Sequence, residues 1–237
     1  PECLRRALQV TKLPESSPGT SPPAMKTTKL LLCALSVAAC LGCIKAGAQS
    51  LDAHLVDISP FVPVTGTLND GNFIQEYTSG VMNFTTTTPG FLDFTAFCVD
   101  PAQDIAYGDS LVYQVQDVST LAYADEVSRL VGGYLASART AVDAASVHWA
   151  IWEVVGETDE TIRSTFSGNV RITSAANNDV ALKADEYLQN IGSYTPASLV
   201  YLTNPAKQDV VTWNVVPEPS SLAIAALSAL GLLRRRR

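Results

Sequence analysis

Cys98 and His148 are the residues of this chain whose types best suit catalytic chemistry. An imidazole beside a thiol lowers the thiol's pKa and produces a nucleophile, and a carboxylate such as Asp100 or Glu153 can orient the ring. No motif of a known cysteine hydrolase surrounds either residue. A core histidine hydrogen bonded to backbone and an inert buried thiol explain the same pattern. We therefore expect no enzymatic activity, and Cys98 and His148 stay candidate catalytic residues.

Other catalytic and cofactor chemistries have no motif in this sequence. His54 and His148 are far apart, and no pair of cysteines with ligand spacing follows residue 48, which argues against a zinc site. The acidic segment 157–160 and the turn segment 69–72 lack the spacing of an EF-hand loop. The sequence contains no glycine-rich phosphate loop and no serine-nucleophile motif. It therefore predicts neither a metal nor a cofactor.

The elements that must position Cys98 and His148 follow from the hydrophobic periodicity of residues 49–214. Alternating, β-branched and aromatic segments come first, helical periods follow, and strand-like segments return at the end. This order predicts a single α+β domain, an antiparallel sheet with about three packed helices. The predicted strands are 61–68, 73–77, 81–87, 91–99, 111–118, 199–202 and 210–216, and the predicted helices are 125–138, 141–155 and 178–191.

The predicted helix 141–155 places His148 on its buried face. Ala145, His148 and Trp152 are spaced by three and four residues, which sets them on one side of the helix. Cys98 lies at the end of a predicted strand, so a helix packed on the sheet would bring the two residues together. Trp149 points away from this face; it is either a candidate contact residue or is covered by a second packed layer.

Charge within the predicted domain is strongly acidic. The whole chain of 237 residues has a formal net charge of −7, but its basic residues crowd into the two ends. Residues 49–216 hold six basic and twenty acidic residues, a formal charge of −14. Such a surface repels phosphate backbones, so we expect no nucleic-acid partner.

The front of the chain has the pattern of a secretory signal peptide. Residues 1–24 are rich in proline and show no apolar period, and we interpret them as an unstructured upstream extension. The segment 25–48 begins at the first internal methionine, has an apolar run over 30–44 and ends in Ala46-Gly47-Ala48, a cleavage motif for signal peptidase. The apolar run is shorter than the ~20 residues that a spanning helix needs.

A second cleavage position competes with the one after Ala48. Residues 37–40 resemble a lipoprotein box ending in Cys40. Cleavage there would leave a lipid on Cys40 and anchor the protein at its front end.

The end of the chain combines three features in a fixed order. Pro217, Glu218 and Pro219 form an extended segment, and an apolar run covers 222–233. The chain then closes on Arg234, Arg235, Arg236 and Arg237, a basic cluster that stays on the cytoplasmic side of a membrane. The apolar run is too short for a permanent span, which favours a temporary anchor that an enzyme removes.

The segment 215–237 resembles the PEP-CTERM sorting signal. The resemblance implies recognition by an exosortase, transient anchoring in the inner membrane and processing near Pro217. It also implies delivery to the cell surface or extracellular matrix of a Gram-negative bacterium. Such tails are attached to unrelated domains, so the resemblance implies no activity for residues 49–214.

Two segments of the domain resemble the signature pieces of thioester-forming adhesin domains. These are Phe97-Cys98-Val99-Asp100, and the segment 145–153 that contains His148. In that family the cysteine attacks the carboxamide of a glutamine on the later helix and forms an internal thioester. His148 stands where the glutamine is expected, and an imidazole has no carboxamide carbon. The resemblance therefore implies the fold without the covalent chemistry.

The sequence leaves three functions open. The first is an exported surface or biofilm-matrix protein with a non-covalent structural or adhesive role, contacting polysaccharide or other surface proteins. The second is a covalent adhesin in which Cys98 uses another carboxamide, that of Gln103, Gln114 or Gln116. The third is a cysteine enzyme based on Cys98 and His148. We favour the first.

Overall fold

The structure is a computed structural model that describes residues 49–68, 74–157 and 163–213. The expected signal peptide with Ala46 and Ala48, the lipoprotein-box cysteine Cys40 and the upstream extension 1–24 lie outside the described residues. The expected sorting segment 215–237 also lies outside them.

Seven strands form one antiparallel sheet. Their order across the sheet is β2-β3-β7-β6-β4-β1-β5, and an additional pairing of β1 with β2 joins six of them into a closed ring. Ring closure pairs the edge groups that an open sheet would leave free. The strands are β1 (Ser50–Thr67), β2 (Gln75–Thr86), β3 (Phe94–Cys98), β4 (Ser110–Gln116), β5 (Arg171–Ile172), β6 (Val200–Thr203) and β7 (Val210–Thr212).

Strand β1 closes the ring because it pairs on both sides. Its first residues, Ser50 to His54, pair with β4, and from Ala53 onward it pairs with β2. The β1–β2 register shifts between Leu55 and Asp57 and again between Ile58 and Phe61. Such irregularities bend a strand and increase its twist, as a strand needs in order to curl around a small ring.

The described residues form three α-helices, α1 (Ala124–Ala136), α2 (Ala141–Gly156) and α3 (Asn178–Gln189). Helix α2 begins at a capping box, in which the Thr140 hydroxyl accepts from Asp143 N–H and the Asp143 carboxylate accepts from Thr140 N–H. It packs against β1, β2, α1 and α3. Helix α2 is consequently the central helix of the domain.

The sequence-based prediction of an α+β fold with an antiparallel sheet and three helices is confirmed. The start of β1 was missed, and the predicted strand 81–87 is the end of a longer strand β2. The prediction that Trp149 is an outer contact residue is wrong, because this side chain is 0 % exposed. The sheet itself covers this side chain, since its indole N–H donates to Ser79 on β2 and its ring lies against Gly66 on β1. Within the described ranges, no helix is both long and apolar enough to cross a membrane.

Candidate functional site

Strand β3 places Cys98 on the buried inner face of the sheet. Cys98 pairs with Val210, Val210 with Leu202, and Leu202 with Val115. Directly paired residues of antiparallel strands point to the same face, so these four side chains share a face. Cys98 is 0 % exposed and is the one cysteine of the described residues.

The thiol of Cys98 is held by the backbone two residues later. It donates to the carbonyl oxygen of Asp100 at 3.3 Å, and its sulfur accepts from the Asp100 N–H at 3.3 Å. Burial raises the pKa of Cys98 to about 12, and the nearby Trp152 indole and the Asp100 backbone offset only part of that effect. Cys98 is therefore a neutral thiol at neutral pH, and the thiolate is the form that acts as a nucleophile.

Helix α2 places His148 where the pairing between β2 and β3 ends. Met82 pairs with Ala96, and the same register continued by two residues sets Gly80 opposite Cys98. The ladder stops before that pair, and the Gly80 N–H donates to His148 Nδ1 at 3.0 Å. A side chain at Gly80 would collide with Pro60 and Phe61, so this close approach requires glycine.

The imidazole of His148 is neutral, and its second nitrogen has no partner. Burial lowers the pKa of His148 to about 3, while the hydrogen bond from Gly80 acts in the opposite direction. Nδ1 accepts a hydrogen bond, so the neutral ring carries its proton on Nε2. Among the described residues no group accepts from Nε2. The structure thus presents a buried N–H donor without an acceptor.

Cys98 and His148 lie near the same aromatic side chains but are not hydrogen bonded to each other. The His148 ring centroid is 4.1 Å from that of Trp152 and 5.7 Å from that of Phe97. The Trp152 N–H lies near the Cys98 sulfur without completing a hydrogen bond to a described acceptor. With both groups neutral, this arrangement does not produce an activated thiolate.

The two carboxylates considered as partners for His148 are engaged elsewhere. The Asp100 carboxylate accepts from Ala102 N–H at 3.1 Å, and Glu153 accepts from Ser164 N–H at 3.1 Å. Burial raises the pKa of Glu153 to about 8, with the charges of Glu157 and Asp185 adding to the effect. Neither carboxylate is hydrogen bonded to the imidazole.

Of the glutamines considered as carboxamide donors, two lie on the wrong face of the sheet. Gln114 and Gln116 flank Val115, which shares the inner face with Cys98, so their side chains point outward. Gln103 lies in the turn that follows β3, where its N–H donates to the Asp100 carbonyl at 3.4 Å. The structure therefore separates Cys98 from Gln114 and Gln116.

A cavity of about 280 Å³ adjoins His148. Its inner wall contains Leu55, Met82, His148 and Trp152, and its remaining lining belongs to 75–78, 104–107, Ile58 and Gln208. Sequence reasoning placed His148 near the core but did not find this cavity, since its walls come from separate strands and a loop. No group of three or more metal-ligating side chains occurs within the described parts of the chain.

The burial of Cys98 leads to a prediction for thiol labelling. We expect iodoacetamide to modify Cys98 in the native protein about a thousandfold more slowly than in urea, because a pKa of about 12 instead of 9.0 lowers the thiolate fraction about tenfold per unit. The mass of the Cys98 peptide over time measures the rate. Equal rates in native and unfolded protein would contradict this prediction and support a reactive cysteine.

Comparison with known proteins locates one family match in this chain. Residues 215–237 match the model of the PEP-CTERM protein-sorting motif. No curated protein and no solved structure matches the chain. The motif implies processing by an exosortase and export to the cell envelope of a Gram-negative bacterium. The match covers the expected sorting segment, with Pro217, Glu218, Pro219 and Arg234 to Arg237, while the likeness of the body to thioester domains has no support from these comparisons.

Proposed function

We propose that this chain is an exported cell-surface or biofilm-matrix protein, sorted by an exosortase, whose body acts through non-covalent structural or adhesive contacts. The match of residues 215–237 to the PEP-CTERM motif is the observation that carries the proposal. The predicted signal peptide 25–48 agrees with it, because export requires a signal at the front of the chain.

The environment of Cys98 and His148 supports a non-covalent role for the body. A thiol with a pKa of about 12 and an imidazole with a pKa of about 3 are both neutral at neutral pH. A covalent adhesin needs a carboxamide beside Cys98, and Gln114 and Gln116 point to the other face of the sheet. The acidic composition of residues 49–216 suits a soluble domain displayed outside the cell.

The intact mass of the protein released from the surface of an exosortase-containing host tests the proposal. We expect a chain that begins at Gln49, ends near Pro217 and carries an unmodified thiol. A chain that begins at a lipidated Cys40 would show that the protein is cleaved at the lipoprotein box and anchored at its front end by a lipid. A mass lower by one ammonia on the Cys98 peptide would replace the non-covalent role with a thioester.

Substitution of the sorting motif is predicted to block processing of the chain. We expect the triple variant Pro217→Ala, Glu218→Ala, Pro219→Ala to retain Arg237 and to stay in the membrane fraction, because the exosortase lacks its recognition segment. The double variant Ser220→Ala, Ser221→Ala is the adjacent control and should be processed normally. Surface delivery of the triple variant at the rate of the unaltered chain would refute exosortase sorting.

A further inference from the structure

Both ends of the described body lie at the same end of the ring of strands. Strand β1 pairs with β4, β4 with β6 and β6 with β7, and each of these pairings is antiparallel. Three reversals of direction make β7 antiparallel to β1, so the start of β1 and the end of β7 lie together. We call this end of the ring, with the loop 87–93, the near pole, and the opposite end, with the loop 99–109, the far pole.

The loop 87–93 joins β2 to β3 at the near pole. The Asp52 N–H donates to Thr88 Oγ1 at 2.7 Å, and the Thr87 N–H donates to the Asp52 carbonyl at 3.3 Å, which ties the loop to the start of β1. Strand β3, into which the loop leads, pairs directly with β7. The loop therefore lies beside the point where the chain leaves β7.

Trp213, the residue that follows β7, holds the end of the described chain against the body. Its ring centroid lies 5.3 Å from that of Phe97 and 6.1 Å from that of Tyr134. Pro217 follows four residues later, and four fully extended residues reach at most about 14 Å. Even a small globular domain is about 30 Å across. An enzyme that cleaves near Pro217 therefore meets the near pole of the folded body with its own surface.

The front of the body indicates the same orientation. The Gln49 carbonyl accepts from the Val115 N–H at 2.8 Å, which places Gln49 at the near pole. The expected signal-peptidase site lies directly before Gln49 in the chain. The apolar runs 30–44 and 222–233, which we expect to enter the membrane, are thus both connected to the body through its near pole.

We propose that the exosortase contacts the near pole, at the loop 87–93, while it processes the sorting segment, and that the far pole faces away from it. The inference rests on the proposed sorting by an exosortase and names the face of the body that this partner meets. Leu92 lies in this loop with 70 % of its surface exposed, which makes an apolar side chain available for the contact.

Two matched turns at opposite poles allow a test. In the turns 88–91 and 106–109 the N–H of the fourth residue donates to the carbonyl of the first, at 3.2 and 3.1 Å. The third residue of each turn is a glycine with positive φ, Gly90 at 90° and Gly108 at 80°, with open space around the position of a Cβ atom. The same small folded domain inserted before Gly90 or before Gly108 therefore adds equal bulk at the near or the far pole.

Pulse–chase of the full chain in an exosortase-containing host, with loss of the tail after Pro217 read from the intact mass, measures the rate of processing. We expect the insertion before Gly90 to slow processing at least about tenfold, because bulk at the near pole keeps the enzyme from a site on so short a tether. The insertion before Gly108 should change the rate by less than about twofold, as an exposed loop tip away from the enzyme tolerates it.

A spacer distinguishes obstruction from misfolding. About twelve glycine and serine residues placed after Trp213 lengthen the flexible tether between the body and the sorting segment. In the chain with the insertion before Gly90, we expect this spacer to restore processing to within about twofold of the unaltered rate. A misfolded body would not be repaired by the spacer, because the altered loop stays the same.

A smaller change decides the question if the chain with the insertion does not fold. Pro89→Cys and Tyr107→Cys each place a thiol on one of the two turns, for coupling to a maleimide of polyethylene glycol in membranes that hold the unprocessed chain. Cys98, the other cysteine after residue 48, is buried. The polymer on the near-pole variant should slow processing, while the polymer on the far-pole variant should not.

Equal processing of the two polymer-coupled chains, or of the two folded chains with insertions, would overturn the proposal. Failure of the spacer to restore processing of a folded chain would also overturn it. Retention of Arg237 by the unaltered chain would instead refute the proposed sorting, so the two failures are distinguishable.

Discussion

Trp149→Ala is expected to lower the free energy of unfolding by about 3 to 5 kcal/mol, the range for large aromatic residues removed from a core. The Trp149 side chain is 0 % exposed, and its indole N–H donates to the Ser79 hydroxyl at 2.8 Å. Its ring packs edge-on against Tyr77 at 5.8 Å and Trp152 at 5.4 Å between centroids. A side chain at Gly66 would collide with this ring, so β1 approaches α2 as closely as a glycine allows.

Urea unfolding followed by far-ultraviolet circular dichroism measures this loss without depending on tryptophan emission. Ser79→Ala separates the hydrogen bond from the packing and should cost about 1 kcal/mol. Leu182→Ala on α3, where the side chain is 58 % exposed, is the control and should change stability by less than about 0.5 kcal/mol. A loss below about 1 kcal/mol for Trp149→Ala would show that Trp149 is not a core residue.

Stability is expected to change with pH on both sides of a plateau between about pH 4.5 and 6.5. Burial holds the pKa of His148 near 3 in the folded protein against 6.5 unfolded, so below 6.5 the unfolded chain binds an extra proton. The contribution of the neutral His148 imidazole to the free energy of unfolding is complete above pH 6.5. It decreases by about 1.4 kcal/mol per pH unit as the pH falls toward 3.

Glu153 acts in the opposite direction. Burial raises its pKa to about 8 in the folded protein, against 4.5 unfolded, so the folded chain binds the extra proton between these values. Its contribution is complete below pH 4.5 and is lost as the pH rises through 8. Between 4.5 and 6.5 the two effects cancel, which leaves an acid limb controlled by His148 and an alkaline limb controlled by Glu153.

The midpoint urea concentration of unfolding, determined at a series of pH values from 3 to 8.5, measures the acid and the alkaline limb of the stability profile. Glu153→Gln should flatten the alkaline limb, because its amide oxygen still accepts from Ser164 N–H but does not titrate. His148→Asn should flatten the acid limb and extend the alkaline limb down to about pH 4.5, because nothing then cancels the effect of Glu153 between pH 4.5 and 6.5. An acid limb unaltered by His148→Asn would assign it to carboxylates such as Asp109 and Asp117, whose pKa values are lowered by their hydrogen bonds.

The hydrophobic periodicity of short segments predicts the helices and most strands of this fold. The spacing of Val127, Leu130, Val131 and Tyr134 predicted α1, and the residues are buried there. The start of β1 carried a usable pattern, since Leu51, Ala53 and Leu55 alternate with polar residues and are buried. Pro60 and Pro63 interrupt the segment and concealed how far it extends.

The parts that could not be predicted depend on residues distant in sequence. The burial of Trp149 depends on Gly66 in β1 and on Tyr77 and Ser79 in β2, which lie 70 or more residues earlier in the chain. The environment of His148 requires Gly80, 68 residues earlier, and a ladder that stops before Cys98. The cavity is likewise a product of chain packing and leaves no local pattern.

The position of β7 connects the order of folding to the order of export. Residues 210–212 lie between β3 and β6 and pair with both. Cys98 and Val210 are over a hundred residues apart in the chain, so this pairing closes a long loop, and contacts of high contact order form slowly. The ring remains open until the last strand of the body joins it. On the proposed export route the chain enters the translocon from its front end, so the ring closes only after β7, the last strand that the structure describes, has crossed.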